Sequence, residues 1–279
     1  FSILADLPPD IKVAVLAAIF VGETLREEKE AIEALQNICS VSTEFKAICD
    51  DATHDFWKEV LTVKGWMPDW IDWSDEATKP KGMNPKTYFH MITRMKQQSR
   101  KALLSLSKDT LKIEKELFYI KAPSSVEERG CKELALTHLP PNVREIEESA
   151  FKGCTSLALT KLPNDIRSIG ASAFKGCTSL ALKELPDGIE EIEQETFVGC
   201  TSLALETLPF NLRKIGTAAF QDCTSLALTK LTDVSLFIRG FAFKGCASLA
   251  LTKLPDGIEE IEQETFAGCT SLALETLPF

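Results

Sequence analysis

The sequence predicts two parts: an N-terminal all-α helical bundle, and a β-solenoid of about seven coils that follows it. Two observations predict this architecture. Apolar residues keep a constant register with evenly spaced cysteines, namely Cys131, Cys154, Cys177, Cys200, Cys223, Cys246 and Cys269. The first part of the chain lacks this repeat and carries apolar residues at helical spacing instead. We therefore expect a helical domain at 1–62, a helical connector at 63–107 and a repeat array at 108–279.

Composition and charge limit the possible partners. The 279 residues are 44% hydrophobic and 26% charged, and the net charge is −10. Nucleic-acid binding needs a basic surface, so nucleic acid is not an expected partner. The longest apolar run, residues 13–21, is far shorter than the roughly 20 residues that span a bilayer, so no membrane partner is expected either.

The N-terminal segment contains three helical patterns in succession. The run "LPPDIKVAVLAAIF" opens with prolines and an aspartate, which suit the first turn of a helix. In "LQNICSVSTEFKAICDD" the apolar residues are three and four positions apart, and "HDFWKEVL" places Trp57, Val60 and Leu61 on one face. Residues 79–110 predict further helices that join this part to the array.

The order of these runs resembles an F-box over residues 4–61, with "LPPDI", "VSTEFKAICDD" and "FWKEVL" as the matching segments. The later "NPKTYFHMITRMK" is similar to the helix that often follows an F-box. The resemblance implies binding to the Skp-type adaptor of a cullin-RING ubiquitin ligase. By matching position it implies six adaptor-binding residues: Leu7, Pro8, Ile11, Val41, Phe45 and Trp57. The apolar pattern alone also fits an unrelated three-helix bundle.

The repeated unit reads C-x-x-L-x-L-x-x-L-P-x-x-I-x-x-I-x-x-x-x-F-x-G. "LAL" alternates with period two, which predicts a short strand with both leucines facing inward. A single coil cannot bury its apolar residues, whereas stacked coils about 4.8 Å apart can. Lys108 lies one repeat length before Cys131, so we expect a degenerate first unit with Leu111 and Ile113 in place of the leucine pair. The departure at 232–237 predicts either a bulge or a binding position.

The array resembles leucine-rich repeats of the BspA-like type, on segments such as "AFKGCTSLALTKLP" and "IRSIGASAFKGC". That resemblance implies a solenoid that binds proteins and has no catalytic activity. Nucleotide-binding and hydrolase motifs are missing, and the spacing of cysteines and histidines does not fit zinc, so we expect no cofactor, no metal and no enzyme. We expect the cysteines to be buried and reduced, which favours a cytoplasmic or nuclear location.

Variation on the predicted sheet face is confined to the two positions that follow each "LAL", and Ser and Ala fill the rest. We expect any partner to contact the residues there, namely His138, Lys161, Lys183, Glu184, Glu206, Lys230, Lys253 and Glu275. The charged run "GIEEIEQET" is expected to pair with neighbouring coils, with metal binding or catalysis as the less favoured alternatives.

Two functions follow from these patterns. One is a substrate-recognition adaptor of a ubiquitin ligase, and the other is a structural repeat protein packed into a larger assembly. Residues 186–210 recur at 255–279 with one change, Val198 to Ala267, so the last segment repeats part of the array. Because Phe279 stops part-way through a unit, we expect the array to continue or its last coil to be covered by a partner.

Overall fold

The computed structural model describes residues 57, 60–61, 88, 91–92, 94–95, 102–115, 117–120, 129–232, 236–256, 258 and 261–275. The chain divides into two compact units, residues 1–104 and residues 105–279. Most of the predicted F-box-like bundle lies outside the described residues, and the structure shows no F-box. The repeat array lies in the second unit.

The described positions of the first unit are helical and mostly buried. Trp57, Val60 and Leu61 are helical and at most 2% exposed, as expected for one apolar helix face. Tyr88 and Ile92 lie on a second buried face, and residues 102–105 are also helical. Among these described helical positions, none belongs to a helix long and apolar enough to cross a membrane.

The second unit contains eight two-residue strands. They are β1 (Lys112–Ile113), β2 (Tyr119–Ile120), β3 (Arg129–Gly130), β4 (Glu145–Ile146), β5 (Ser168–Ile169), β6 (Glu191–Ile192), β7 (Lys214–Ile215) and β8 (Phe237–Ile238). Parallel pairing gives one sheet in the order β1-β4-β5 and another in the order β6-β7-β8, while β2 and β3 pair antiparallel. From β4 to β5 and from β6 to β8 the paired residues occupy the same position of consecutive units, which confirms stacking of one unit on the next.

The strands lie at the second isoleucine of each unit, so the prediction of a strand at "LAL" was wrong. Both leucines do face inward: Leu157 and Leu159 are fully buried, and Ala158 between them is not. However, "LAL" forms few bonds to its neighbour, such as Ala158 N–H to the Leu136 carbonyl at 2.9 Å. Alternation of side chains therefore identified the buried face here, although the backbone lacks the paired ladder of a strand.

The predicted alignment of the first coil was also wrong. Lys112 pairs with Glu145 and Ile113 with Ile146, so the first step along the chain is longer than the regular step from Glu145 to its partner Ser168. Leu111, expected in the leucine pair, is 53% exposed, whereas Ile113 is fully buried. The additional residues lie between Phe118 and Cys131, where β2 and β3 close the insertion.

One continuous row of rings runs through the array. Seven phenylalanines stack face to face with centroids 5.3–5.6 Å apart and interplanar angles of 2–11°, namely Phe118, Phe151, Phe174, Phe197, Phe220, Phe243 and Phe266. Ring pairs at these separations add to the hydrophobic gain of burial. Phe118 belongs to this row because Ile113 and Phe118 have the same separation in the chain as Ile146 and Phe151.

The turn before each cysteine from Cys154 to Cys269 uses a left-handed backbone. Gly176 and Gly199 have φ of 76° and 71°, and the equivalent residue of the next unit is Asp222, with φ of 59°. Residues with a side chain avoid this region by about 1–2 kcal/mol, glycine excepted and aspartate tolerated. The turn therefore favours glycine at this position of the repeat, and aspartate is accepted in one unit.

The backbone ladder at the second isoleucine is interrupted between residues 167–170 and the following coil, residues 190–193. Gly170 and Gly216 each donate an N–H to an isoleucine carbonyl of the preceding coil, at 2.8 and 2.7 Å. The equivalent bond from Glu193 is missing between these described segments, and β5 and β6 belong to different sheets. On the phenylalanine side the ladder continues across this step, with Ser172 N–H donating to the Gln194 carbonyl at 3.0 Å.

Candidate protein-binding surfaces

The cysteine column is a structural part of the interior. Cys177, Cys200, Cys223 and Cys246 are fully buried, and each thiol donates to the phenylalanine carbonyl of the preceding coil at 3.0–3.1 Å. Burial raises the pKa of the Cys246 thiol to about 12 and also raises that of Cys200 well above its usual value. Thiols in this state are protonated and unreactive. The array cysteines from Cys131 to Cys269 are free, and all but the half-buried Cys269 are buried.

The residues after each "LAL" are accessible. Lys161, Lys183, Glu184 and Glu206 are exposed, as expected for contact residues. Lys230, Lys253 and Glu275 are also exposed, while His138 is half-buried and its pKa is lowered by burial. Its Nδ1 lies 3.1 Å from Thr137 Oγ1.

These surface charges pair between consecutive coils. Lys161 Nζ lies 3.8 Å from Glu184 Oε1, and Lys183 Nζ lies 3.5 Å from Glu206 Oε1. All four side chains are more than half exposed, so water screens the pairs and they contribute little to stability. Breaking these ion pairs to form new ones with the charged side chains of a partner therefore has a small cost in free energy. Whether a partner uses these residues stays a prediction.

The acidic run "GIEEIEQET" also pairs with adjacent coils, as expected. Lys214 Nζ lies 2.7 Å from Glu191 Oε2, and in the second copy of the run Arg239 Nη1 lies 2.7 Å from Glu262 Oε1. The bond from Arg239 lowers the pKa of the Glu262 carboxyl. Among the residues that the structure describes, no cluster of histidine, cysteine, aspartate or glutamate could hold a metal ion.

An open cleft of about 340 Å³ lies beside the interrupted ladder and includes Lys115, Glu147, Glu148 and Glu193 in its lining. Two of its carboxylates are already neutralised. Glu147 contacts Lys112 Nζ at 2.6 Å, and Glu148 contacts Lys115 Nζ at 2.7 Å. The cleft is thus a set of surface ion pairs in a shallow depression.

Two further aromatic side chains in consecutive units are exposed, Phe210 and Phe237, and we name this pair the aromatic edge. They are 63% and 58% exposed. Phe237 belongs to the departure at 232–237 that predicts a bulge or a binding position, whereas Phe210 was not predicted. The bulge is not present in the described residues 236–238, because Phe237 pairs with Lys214 in the regular register. The signal for Phe210 was available, since Asn164 and Asp187 occupy its position in the preceding units.

The predicted adaptor-binding residues fall almost entirely outside the described residues. Of the six, only Trp57 is described, and it is 2% exposed, as a core residue is. The other five, Leu7, Pro8, Ile11, Val41 and Phe45, lie among residues that the structure does not describe.

The repeats identify the family. Residues 125–249 and 236–278 match the BspA type leucine rich repeat region in six copies, and together they span more than half of the chain. The chain belongs to this family of repeat proteins. Proteins of leucine-rich repeats typically act in protein interactions or as scaffolds, and they are not typically enzymes.

Solved structures with similar repeats come from bacteria. The T. pallidum leucine-rich repeat protein TpLRR is 40% identical, with 48% of this chain and 65% of that chain covered and a TM-score of 0.44. A leucine-rich repeat protein from Bacteroides ovatus is 26% identical over 55% of this chain and 44% of that chain, with a TM-score of 0.42. The match thus spans less than two thirds of either relative. No curated protein matches the chain.

The expected cytoplasmic or nuclear location was wrong, because homologues with BspA-type leucine-rich repeats are bacterial cell-surface proteins. A further similar structure, 24% identical over 50% of this chain and 53% of that chain with a TM-score of 0.28, is a leucine rich cell surface protein from Faecalibacterium prausnitzii. Burial explains the error. The array thiols lie inside the coils and donate to carbonyl oxygens, so they stay reduced without a reducing compartment. Free cysteines in this fold therefore do not report the location of the protein.

Proposed function

We propose that this chain is a non-catalytic protein-binding repeat protein, and that the residues following each "LAL" contact the partner. One observation carries the proposal. The interior repeats almost unchanged from unit to unit, while the exposed charges at these positions differ and pair only through screened surface bridges such as Lys183–Glu206. A regular array with a variable exposed face is the arrangement that repeat proteins use for binding.

Affinity capture from extracts of the source organism with the array as bait tests this proposal. The informative variants are Lys183→Glu and Glu184→Lys, combined in one chain so that the net charge is unchanged. Arg167→Glu serves as the control, because Arg167 is exposed on a different side of the coil. We expect a partner that the wild type and the control retain and the double variant loses. Retention of the same proteins by all three chains would contradict the proposal.

A scaffold role within a larger assembly is the closely related alternative. It is supported by the small side chains on the "LAL" face, where Ala158, Ala181 and Ala204 form a column of half-buried residues. A face of this kind suits permanent packing better than selective recognition. Size-exclusion chromatography of the native protein from cells separates the two: a scaffold elutes only in a large complex, whereas a recognition protein also elutes free.

An adaptor role in a ubiquitin ligase is a second candidate, and it rests on the F-box-like runs at residues 4–61. The buried helical face of Trp57, Val60 and Leu61 is in accord with the last helix of such a domain. Pull-down with a purified Skp-type adaptor is the direct test, with Leu7→Asp as the variant expected to lose binding. If the intact chain does not bind the adaptor, this candidate is eliminated and the binding role of the array is unaffected.

A further inference from the structure

The aromatic edge has no role in the packing of the coils. At the position of Phe237, the preceding strands have Glu145, Ser168, Glu191 and Lys214, and all of these fit the same register. A polar or small residue is thus sufficient for the fold at this position. Exposing more than half of a phenylalanine ring to water has an unfavourable free energy, so the ring calls for an explanation outside the array.

The residue before Phe237 shows that the apolar character is local. Leu236 is only 4% exposed, although the equivalent residues Arg167, Glu190 and Arg213 are exposed and charged. The buried Leu236 anchors the strand, and the ring of Phe237 is displayed outward beside it. Phe210 adds a second exposed ring on the preceding unit.

The segment around the aromatic edge is more basic than the units directly before and after it, and the following unit, 246–268, contains one lysine and five acidic residues. Residues 200–244 contain five basic and three acidic side chains, whereas the preceding unit, 177–199, contains one lysine and six acidic residues. The Arg213 carbonyl accepts the Phe237 N–H at 2.9 Å, so the two residues are direct neighbours. The Arg213 side chain is exposed, and no acidic residue pairs with it among the described residues.

Two more basic residues flank the ring. Lys214 is the strand partner of Phe237, and Arg239 lies two residues further along, on the same side as Phe237. Each already pairs with a glutamate, but side-chain exposures of 36% for Lys214 and 52% for Arg239 leave them accessible to additional acidic groups. The edge therefore offers an apolar surface between cations, one of which has no acidic partner in the described residues.

We propose that the aromatic edge binds a short acidic protein segment that carries a large apolar side chain. The apolar side chain packs on Phe237, and a flanking carboxylate pairs with Arg213. The acidic unit 177–199 on one side limits the length of the segment, because additional acidic residues there would be repelled. This inference rests on the proposed protein-binding function and adds a second surface to it, with a partner of defined chemistry.

Fluorescence-anisotropy titration with labelled peptides tests this site. The probes are EEWEE, EESEE and KKWKK, with a single-stranded thymidine oligonucleotide to detect general binding of polyanions. We expect EEWEE to bind more tightly than the other three probes. Aromatic and arginine residues dominate most interfaces, so Phe237→Ser and Arg213→Glu should each weaken the binding of EEWEE at least about tenfold.

Two controls keep the outcome interpretable. Ser occupies the equivalent strand position in β5, so Phe237→Ser should fold normally, which circular dichroism will verify. Arg167→Glu reverses the equivalent charge of a unit that has no exposed ring and should leave EEWEE binding unchanged. No binding of EEWEE, equal binding of EESEE, KKWKK or the oligonucleotide, or no effect of Phe237→Ser would overturn the inference. None of these results would affect partner capture through Lys183 and Glu184, so the two proposals fail independently.

Discussion

Substitution of Phe197 by leucine tests the stacked rings as a source of stability. Phe197 is fully buried in the middle of the row, and its centroid lies 5.6 Å from that of Phe174 and 5.4 Å from that of Phe220. Leucine keeps much of the apolar volume but removes both ring contacts. Aromatic pairs contribute about 0.5–1.5 kcal/mol each beyond their buried area. Two such pairs give an expected loss of about 1–3 kcal/mol in the free energy of unfolding.

The matched control is Phe266→Leu, at the last described ring of the row. Phe266 has one stacking partner, Phe243 at 5.6 Å, and is half-buried. We expect it to lose about half as much stability as Phe197→Leu. Urea unfolding followed by far-UV circular dichroism measures both losses of stability. An unchanged m-value shows that the variants and the wild type expose the same amount of surface on unfolding, so that their free energies can be compared. Equal losses at the two positions, or a loss below about 0.5 kcal/mol for Phe197→Leu, would refute the stacked-ring contribution.

Four further outcomes are expected. A double-mutant cycle with Phe118→Leu and Phe151→Leu should show a coupling of about 0.5–1.5 kcal/mol, because the centroids of these rings are 5.3 Å apart. Absence of coupling would contradict the register in which Ile113 pairs with Ile146. Titration with a thiol reagent should label Cys269 first and leave Cys177 to Cys246 protected until the array unfolds. The contribution of the buried thiols to stability should be constant below about pH 8 and should fall above about pH 9, since these thiols keep their protons while the unfolded chain loses them, with a limiting slope of about 1.4 kcal/mol per pH unit for each thiol. Replacing Asp222, at φ 59°, by glycine should leave stability unchanged or raise it by up to about 1 kcal/mol, whereas Gly199→Ala, at φ 71°, should lower it by about 1 kcal/mol or more; calorimetry distinguishes these signs.

Periodicity in the sequence predicted the interior of the array well, because burial depends on the spacing of apolar residues. The leucine pair, the buried isoleucines and the cysteine column all lie inside, as their regular recurrence requires. The position of the strands was not predictable from the same pattern. Both "LAL" and the isoleucine segment alternate inward and outward residues, and only backbone pairing distinguishes them.

The first coil shows where fixed periodicity fails. Counting back one repeat length from Cys131 gave Lys108, but an insertion shifts the register there. The spacing within the unit was the better guide, because Ile113 and Phe118 are separated as Ile146 and Phe151 are. Local spacing is set by the geometry of one coil, whereas the length between coils can change when an insertion closes on itself, as β2 and β3 do.

The exposed positions of the array were predicted less completely than the core. The charged positions after "LAL" were recognised because they vary within a constant frame, and the structure places them on the surface. Phe210 was missed because an isolated phenylalanine reads as a core residue in a sequence with a buried phenylalanine in almost every unit. Its exposure follows from the polar Asn164 and Asp187 at the equivalent position of preceding units, and from the turn at residues 209–212, where Leu212 N–H donates to the Pro209 carbonyl and Leu212 is the buried residue.

Amide hydrogen exchange by NMR tests the central claim, that the coils stack in register through backbone bonds. The N–H groups of Phe174, Phe197 and Phe220 each donate to the next coil at 2.8–3.0 Å, so we expect them to exchange slowly and with similar protection. Gly216 should be protected as well, whereas Glu193, at the equivalent position beside the interrupted ladder, should exchange rapidly. Fast exchange at the three phenylalanines, or equal protection at Glu193 and Gly216, would contradict the stacking described for this array.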